Sequence, residues 1–169
     1  MSAEEVAENA GQESGDTKTP AVRFRHVDDE KWQEVRAQQH GDRRVSIYEK
    51  WLEFTPNLLS LYAKWDPGMT VHKHGHNSDH VVFVLAGEMT CGDVTCTKGM
   101  HITLEHGAAF GPFVAGPEGV ELFEVMMGDP RSWAADPEGF EKLLNEKGAV
   151  KLPNPPIDLP SWLEDTRST

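Results

Sequence analysis

Cysteine is almost missing from this 169-residue chain: Cys91 and Cys96 are the only two, too few for a disulfide framework. A hairpin turning at Asp93-Val94 would set them face to face, and one turning at Gly92-Asp93 would leave them out of register. Basic residues are scarce as well. Sixteen Lys and Arg against 28 Asp and Glu give a formal net charge of −12, which repels phosphate backbones and anionic lipid and argues against nucleic acid as a partner. No apolar run approaches the length that spans a bilayer. The first residues, Met1 to Ala10, are acidic and polar where a secretory leader is basic and then apolar. The expectation is a soluble, cytoplasmic protein with no membrane partner, in a reducing compartment that disfavours a structural disulfide.

A hydrophobic content of 38% over this length suits one core. Residues 1–20 are rich in Glu, Ser, Gly and Ala and cannot bury enough apolar surface to offset their ordering entropy, so they are expected to be disordered. Residues 21–135 carry short apolar segments between Gly and Pro turns, among them Val22–Val27, Val45–Leu52, Leu58–Trp65 and Val120–Met127, the pattern of an all-β sandwich or barrel. Asp28 to Arg36 reads as one short helix with an acidic first turn. Ala86-Gly87-Glu88 reads as a strand break, and Gly116 to Gly119 as a turn. Residues 136–169 begin with a helix capped by Asp136, with Pro137 at its first position and Gly148 past its end. They continue as a proline-rich tail whose Ile157, Leu159, Trp162 and Leu163 suit packing on the barrel or a partner.

What the chain does have is histidine at regular spacing. His72, His74, His76 and His80 fall within nine residues. On a strand the first three project to one side, and a short turn would return His80 beside them. The apolar run Val81–Leu85 then carries the cluster into a buried strand. Imidazole suits zinc, copper, iron and nickel, and a neutral nitrogen set leaves the full ionic charge to act on a substrate. The competing readings are a polar surface turn and histidines satisfied by backbone carbonyls.

From Gly68 to Gly87 the chain resembles the first motif of the cupin superfamily. Gly68, His74, His76 and Gly87 fall at the family spacings, and His80 fills the slot of the usual Glu. The second cupin motif is degenerate: Gly99 and Gly107 match, but Glu105 replaces the customary proline and Phe110 the customary fourth ligand. The resemblance implies an all-β cupin-type double-stranded β-helix, a jelly-roll barrel with a short C-terminal helix. It also implies a divalent metal at His74, His76 and His80, with Fe(II) favoured and Zn, Ni, Mn or Cu as alternatives, and pairing of sheets into a homodimer.

His72 is first an orienting or pocket residue and second a fourth ligand. Glu124 shares a face with Val120, Leu122 and Met126. Turned inward it needs a partner such as the metal or a histidine and is a candidate base; turned outward it is merely solvated. Phe110 and Phe83 are candidate walls of an apolar substrate pocket, with a core role the plainer reading for Phe83. His101 and His106 are expected to be structural, and His26 and His40 carry no role.

The leading expectation is a non-haem dioxygenase-type oxidoreductase. Its substrate is small, partly apolar and bound through oxygen as an enolate, diketonate or phenolate. The alternatives are a non-redox metalloenzyme (isomerase, lyase or hydrolase) and a non-catalytic cupin that binds a small molecule.

Overall fold

The computed structural model describes residues 21–165; the segment expected to be disordered, 1–20, lies outside them. Two-residue turns at Gly41-Asp42, Pro56-Asn57 and Gly92-Asp93 close three hairpins, and nine strands join one antiparallel sheet. They are β1 Gln33–His40, β2 Arg43–Thr55, β3 Leu58–Trp65, β4 Thr70–Val71, β5 His74–Cys91, β6 Val94–Thr97, β7 His101–Leu104, β8 Phe113–Ala134 and β9 Ala149–Lys151. The order is β6-β5-β8-β3-β2-β1-β9, with β4 added to β8 and β7 to β5. The long strands β5 and β8 each serve several neighbours, and the sheet curls into the jelly-roll barrel expected from the sequence. Among the described residues no helix is long and apolar enough to cross a membrane.

Period-two alternation decides what enters the core. On β5, His76, Ser78, His80, Val82 and Val84 are buried; on β8, Val120, Leu122, Glu124 and Met126 are; on β3, Leu59, Leu61 and Ala63 are. The register aligns these rows, with Val82 opposite Glu124, Glu124 opposite Leu61 and Leu61 opposite Trp51. Aromatic edges close the base of the core, Phe113 meeting Trp65 and Phe110.

Several expectations need correction. Val22–Val27 is no strand: Val22 and Phe24 are exposed, and the segment ends in a single 3-10 turn, Val27–Asp29, capped by His26 Nδ1 accepting from the Asp28 amide at 3.2 Å. Lys31 to Arg36 is no helix either. Val35 and Ala37 find burial by pairing β1 with β2, a tertiary gain that overrides the local acidic signal. No turn precedes His80, because β5 runs unbroken from His74. Glycine 87, at φ +67°, lets β5 continue through Ala86-Gly87-Glu88 with irregular pairing instead of ending there. Residues 116–119 are an excursion inside β8, not a turn between strands: Met89 pairs with Ala115 and Gly87 with Val120.

The cysteine hairpin turns at Gly92-Asp93, so Cys91 faces Val94, Cys96 faces Met89, and both thiols are free. The C-terminal helix, α1 Pro137–Glu146, has its expected cap, Asp136 accepting from the Gly139 amide at 2.9 Å. After β9, which pairs with β1, the proline-rich tail crosses the barrel mouth. It is held by the Leu152 amide on Ala37 O, by the Asp158 amide on Gln33 Oε1, by a Lys31–Asp158 ion pair and by Trp162 edge-on to Phe54.

Candidate functional site

The alternation of β5 brings His74, His76 and His80 into one file. Adjacent ring centroids are 5.1 Å apart for His74 and His76 and 4.8 Å for His76 and His80. His76 and His80 are 5% and 1% exposed. The three rings surround Phe110, whose centroid lies 4.9 Å from His74 and 5.4 Å from His80. They line a cavity of about 100 Å³ together with Phe113, Leu122, Glu124 and Met126. A larger cavity of about 200 Å³ lies outside it and reaches His76 and His72, with Ile157, Leu159 and Leu163 of the tail in its wall.

Hydrogen bonding fixes the rings. His74 Nδ1 is 2.8 Å from the His72 carbonyl and His76 Nδ1 is 2.8 Å from the Pro130 carbonyl. A carbonyl only accepts, so each Nδ1 carries the proton and each neutral ring has its lone pair on Nε2. His80 is anchored the other way round, Nε2 lying 3.0 Å from Glu124 Oε2. Its Nδ1 is buried with no partner. Glu124, 9% exposed, therefore faces inward, and His80 is the partner a carboxylate among apolar neighbours requires. His72 orients its neighbour through its carbonyl oxygen, while its ring turns toward Phe140 at 5.5 Å.

Burial, the largest cause, holds His74 well below the ordinary histidine range and pushes His76 down to about 4; repulsion from a neighbouring imidazole adds to both. His72 is likewise lowered to about 4, by burial first and then by the Arg36 charge. In the unfolded chain these groups titrate near ~6.5. Between those limits the unfolded state binds more protons, so stability is present in full above that range and is lost as pH falls from about 6.5 to about 4. The His76 contribution is up to roughly 3 kcal/mol. Thermal melts of metal-free protein should therefore drop steadily across this window; a flat melting temperature from neutral pH to pH ~4.5 would contradict neutral burial of these rings.

The donor types fit a divalent metal. Two imidazoles have Nδ1 tied to backbone carbonyls, the arrangement by which proteins orient metal-bound histidines, and the orphaned Nδ1 of His80 is a third nitrogen without a partner. The placement is looser than the chemistry: among the described residues no three His, Cys, Asp or Glu side chains are gathered as a closed metal-holding group, and His80 Nε2 is engaged by Glu124.

Phe83 does not join the site. It alternates with His80 and Val82 and so lies on the outer face of β5, 37% exposed and outside both cavities. His101 and His106 are exposed, and the His106 amide donates to Asp79. Arg36 and Glu49, which line both cavities, are absent from the sequence reading. Arg36 falls in the segment expected to be helical, whereas on β1 it pairs opposite the buried Ile47 and shares the face of the buried Gln38. The carbonyl that orients His76 belongs to Pro130, and no side-chain pattern announces it.

No protein family matches the chain, and no curated protein sequence matches it. Solved structures do. The chain is similar to the polyketide cyclase RemF from Streptomyces resistomycificus, with 17% identity and a TM-score of 0.56 over 75% of this chain and 94% of that one. It is similar to an acetylacetone dioxygenase from Acinetobacter johnsonii, with 15% identity and a TM-score of 0.51 over 65% of this chain and 76% of that one. It is also similar to an RmlC-like cupin from Shewanella frigidimarina NCIMB 400, with 17% identity and a TM-score of 0.50 over 66% of this chain and 93% of that one. At such identities the likeness speaks for architecture, and the architecture of this chain is the cupin fold.

Proposed function

We propose that the chain is a metal-dependent cupin enzyme of the dioxygenase type, acting on a small, partly apolar substrate bound through oxygen as an enolate, diketonate or phenolate. One observation carries this reading: on three neighbouring imidazoles, one nitrogen is anchored by an acceptor and the other is left over, inside a cavity that Phe110, Phe113, Leu122 and Met126 help to wall. His74, His76 and His80 would hold the ion, Fe(II) first, with Zn, Ni, Mn or Cu as alternatives. When bound, the ion supplies charge to an oxygen-donor substrate and a redox centre for dioxygen.

The chain's own residues do the rest. Phe110, Phe113, Leu122 and Met126 exclude water. Glu124 Oε2, hydrogen-bonded to His80 Nε2, is placed to receive a substrate proton. The exposed Phe83, Leu85 and Met127 on the outer face of β5 and β8 support sheet-to-sheet pairing into a homodimer. The acidic charge supports a protein with no nucleic-acid or anionic-membrane partner, and the proposed location is the cytoplasm.

A second reading has its own support. The inward His80–Glu124 pair, with Phe110 in place of a fourth donor, favours proton-transfer chemistry as an isomerase, lyase or hydrolase. Incomplete gathering of the donors favours a small-molecule-binding cupin.

Reconstitution with each metal separately, followed by elemental analysis and oxygen uptake with diketones, phenolics and thiols, separates the three. The proposal expects about one ion per chain and oxygen uptake with an oxygen-donor substrate. Turnover without oxygen selects the isomerase, lyase or hydrolase reading, and failure to retain any metal sinks both enzyme readings. Under the dioxygenase reading Glu124→Gln keeps the metal and loses about 100-fold in kcat, measured at saturating substrate. An unchanged kcat would remove Glu124 from the chemistry.

A further inference from the structure

Among the described residues three buried side-chain polar atoms have no hydrogen-bond partner: Trp65 Nε1, His80 Nδ1 and Ser78 Oγ. The first two belong to residues that line the inner cavity, while Ser78 lines neither cavity. With Nε2 donating to Glu124, His80 Nδ1 can offer a lone pair to an ion. Trp65 has no such explanation. An indole nitrogen only donates, so no metal satisfies it, and a buried N–H left without an acceptor is costly. The two carboxylates of the same cavity wall hold other donors, Glu49 accepting from Trp51 Nε1 at 2.7 Å and Glu124 from His80 Nε2 at 3.0 Å. Alternation along β3 turns Trp65 to the side of Leu59, Leu61 and Ala63, opposite the buried Val120 and Ile47. Its ring packs edge-on against Phe113 at 5.9 Å, and Phe113 lies 5.8 Å from His74. The indole thus stands one aromatic ring away from the histidine file. Phenylalanine would fill that place with no donor to satisfy.

We propose that Trp65 Nε1 donates a hydrogen bond to an uncharged carbonyl oxygen on the small molecule that occupies the inner cavity, which makes Trp65 a specificity-determining residue. The inference rests on the proposed enzyme reading only for the assignment of the ligand's other oxygen to the ion; the hydrogen bond itself needs no metal. A neutral donor beside the Glu49 and Glu124 carboxylates suits a neutral acceptor better than a second anionic group. A volume of about 100 Å³ limits the guest to roughly one small ring or its open-chain equivalent. Val71, Val82, Leu122 and Phe113 offer that body an apolar wall.

The test uses two probes of similar shape, cyclopentanone and cyclopentane, titrated into metal-free and zinc-exposed protein carrying 15N-labelled tryptophan. Among the indole N–H signals, Trp65 is assigned by its loss in Trp65→Phe or, should that variant not fold, by cross-peaks from Phe113. Its proton signal should move downfield with cyclopentanone and not with cyclopentane, a readout that a merely structural role would not move. Trp65→Phe, followed through the Met126 methyl signal, should bind cyclopentanone about 5-fold more weakly, the worth of one neutral hydrogen bond, and cyclopentane as before. An indole signal that stays put, one that moves equally with both probes, binding of neither probe, or an undiminished ketone affinity in Trp65→Phe would overturn the inference. A signal protected from exchange yet unmoved by either probe would mean that a buried water alone accepts from Trp65, which also overturns it. A ketone-specific shift in protein that retains no zinc keeps the donor and removes the metal reading; zinc retention with an unmoved indole does the reverse.

Discussion

Changing His76 to Ala should weaken retention of a divalent ion by about 100-fold or more, since loss of an orienting partner alone costs 10- to 100-fold, while the barrel stays folded. His76 is central to the file: its ring lies between those of His74 and His80, and it borders both the inner and the outer cavity. Stability should change less than metal retention. The Pro130 carbonyl loses its donor, a cost of about 1 kcal/mol, and the variant should depend less on acid pH because one buried neutral ring is gone. Competition dialysis against a chelator of known affinity measures the first effect, and thermal melts at two pH values the second. Wild-type retention by the variant would remove His76 from the metal proposal.

Gly75→Ala should be the most damaging small substitution at the site. Gly75 separates the first two histidines, and a Cβ there would press into the Ala108 carbonyl and the Trp133 ring. The carbonyl cannot yield without moving the segment that carries Phe110, whose backbone bonds to His74 in both directions. Overpacking of this kind costs about 3 kcal/mol, or a melting temperature lower by roughly 6–12 °C at this chain length. The strain acts on β5 between His74 and His76, so metal retention should fall with stability. A variant that melts like wild type would mean that Ala108 and Trp133 are free to move.

The histidine file was legible because a strand has a period of two, and spacing alone places side chains at 74 and 76 on one side. The helix after Asp136 was legible from its cap, its proline and its closing glycine. Glu124 was not, since the same alternation allows either face inward and only pairing with β3 and β5 decides it. Phe83 was misplaced for a related reason: an unbroken apolar run hides which members are odd and which even. Arg36 was hidden by an acidic stretch that imitates a helix start, since only pairing with β2 fixes the face it takes. β9 is three residues long and gains its structure from β1, so it had no local signal to read.

The strand order has a consequence for how the chain reaches its native state. β8 must find β3, β4 and β5, and β9 must return to β1 across more than a hundred residues. Loop closure is paid for before such distant pairings give anything back. Refolding should be correspondingly slow, in the millisecond-to-second range typical of non-local β topologies, and a nascent chain that has not yet emerged past β8 should depend on chaperones to keep the unpaired edges of β3 and β5 apart from other chains.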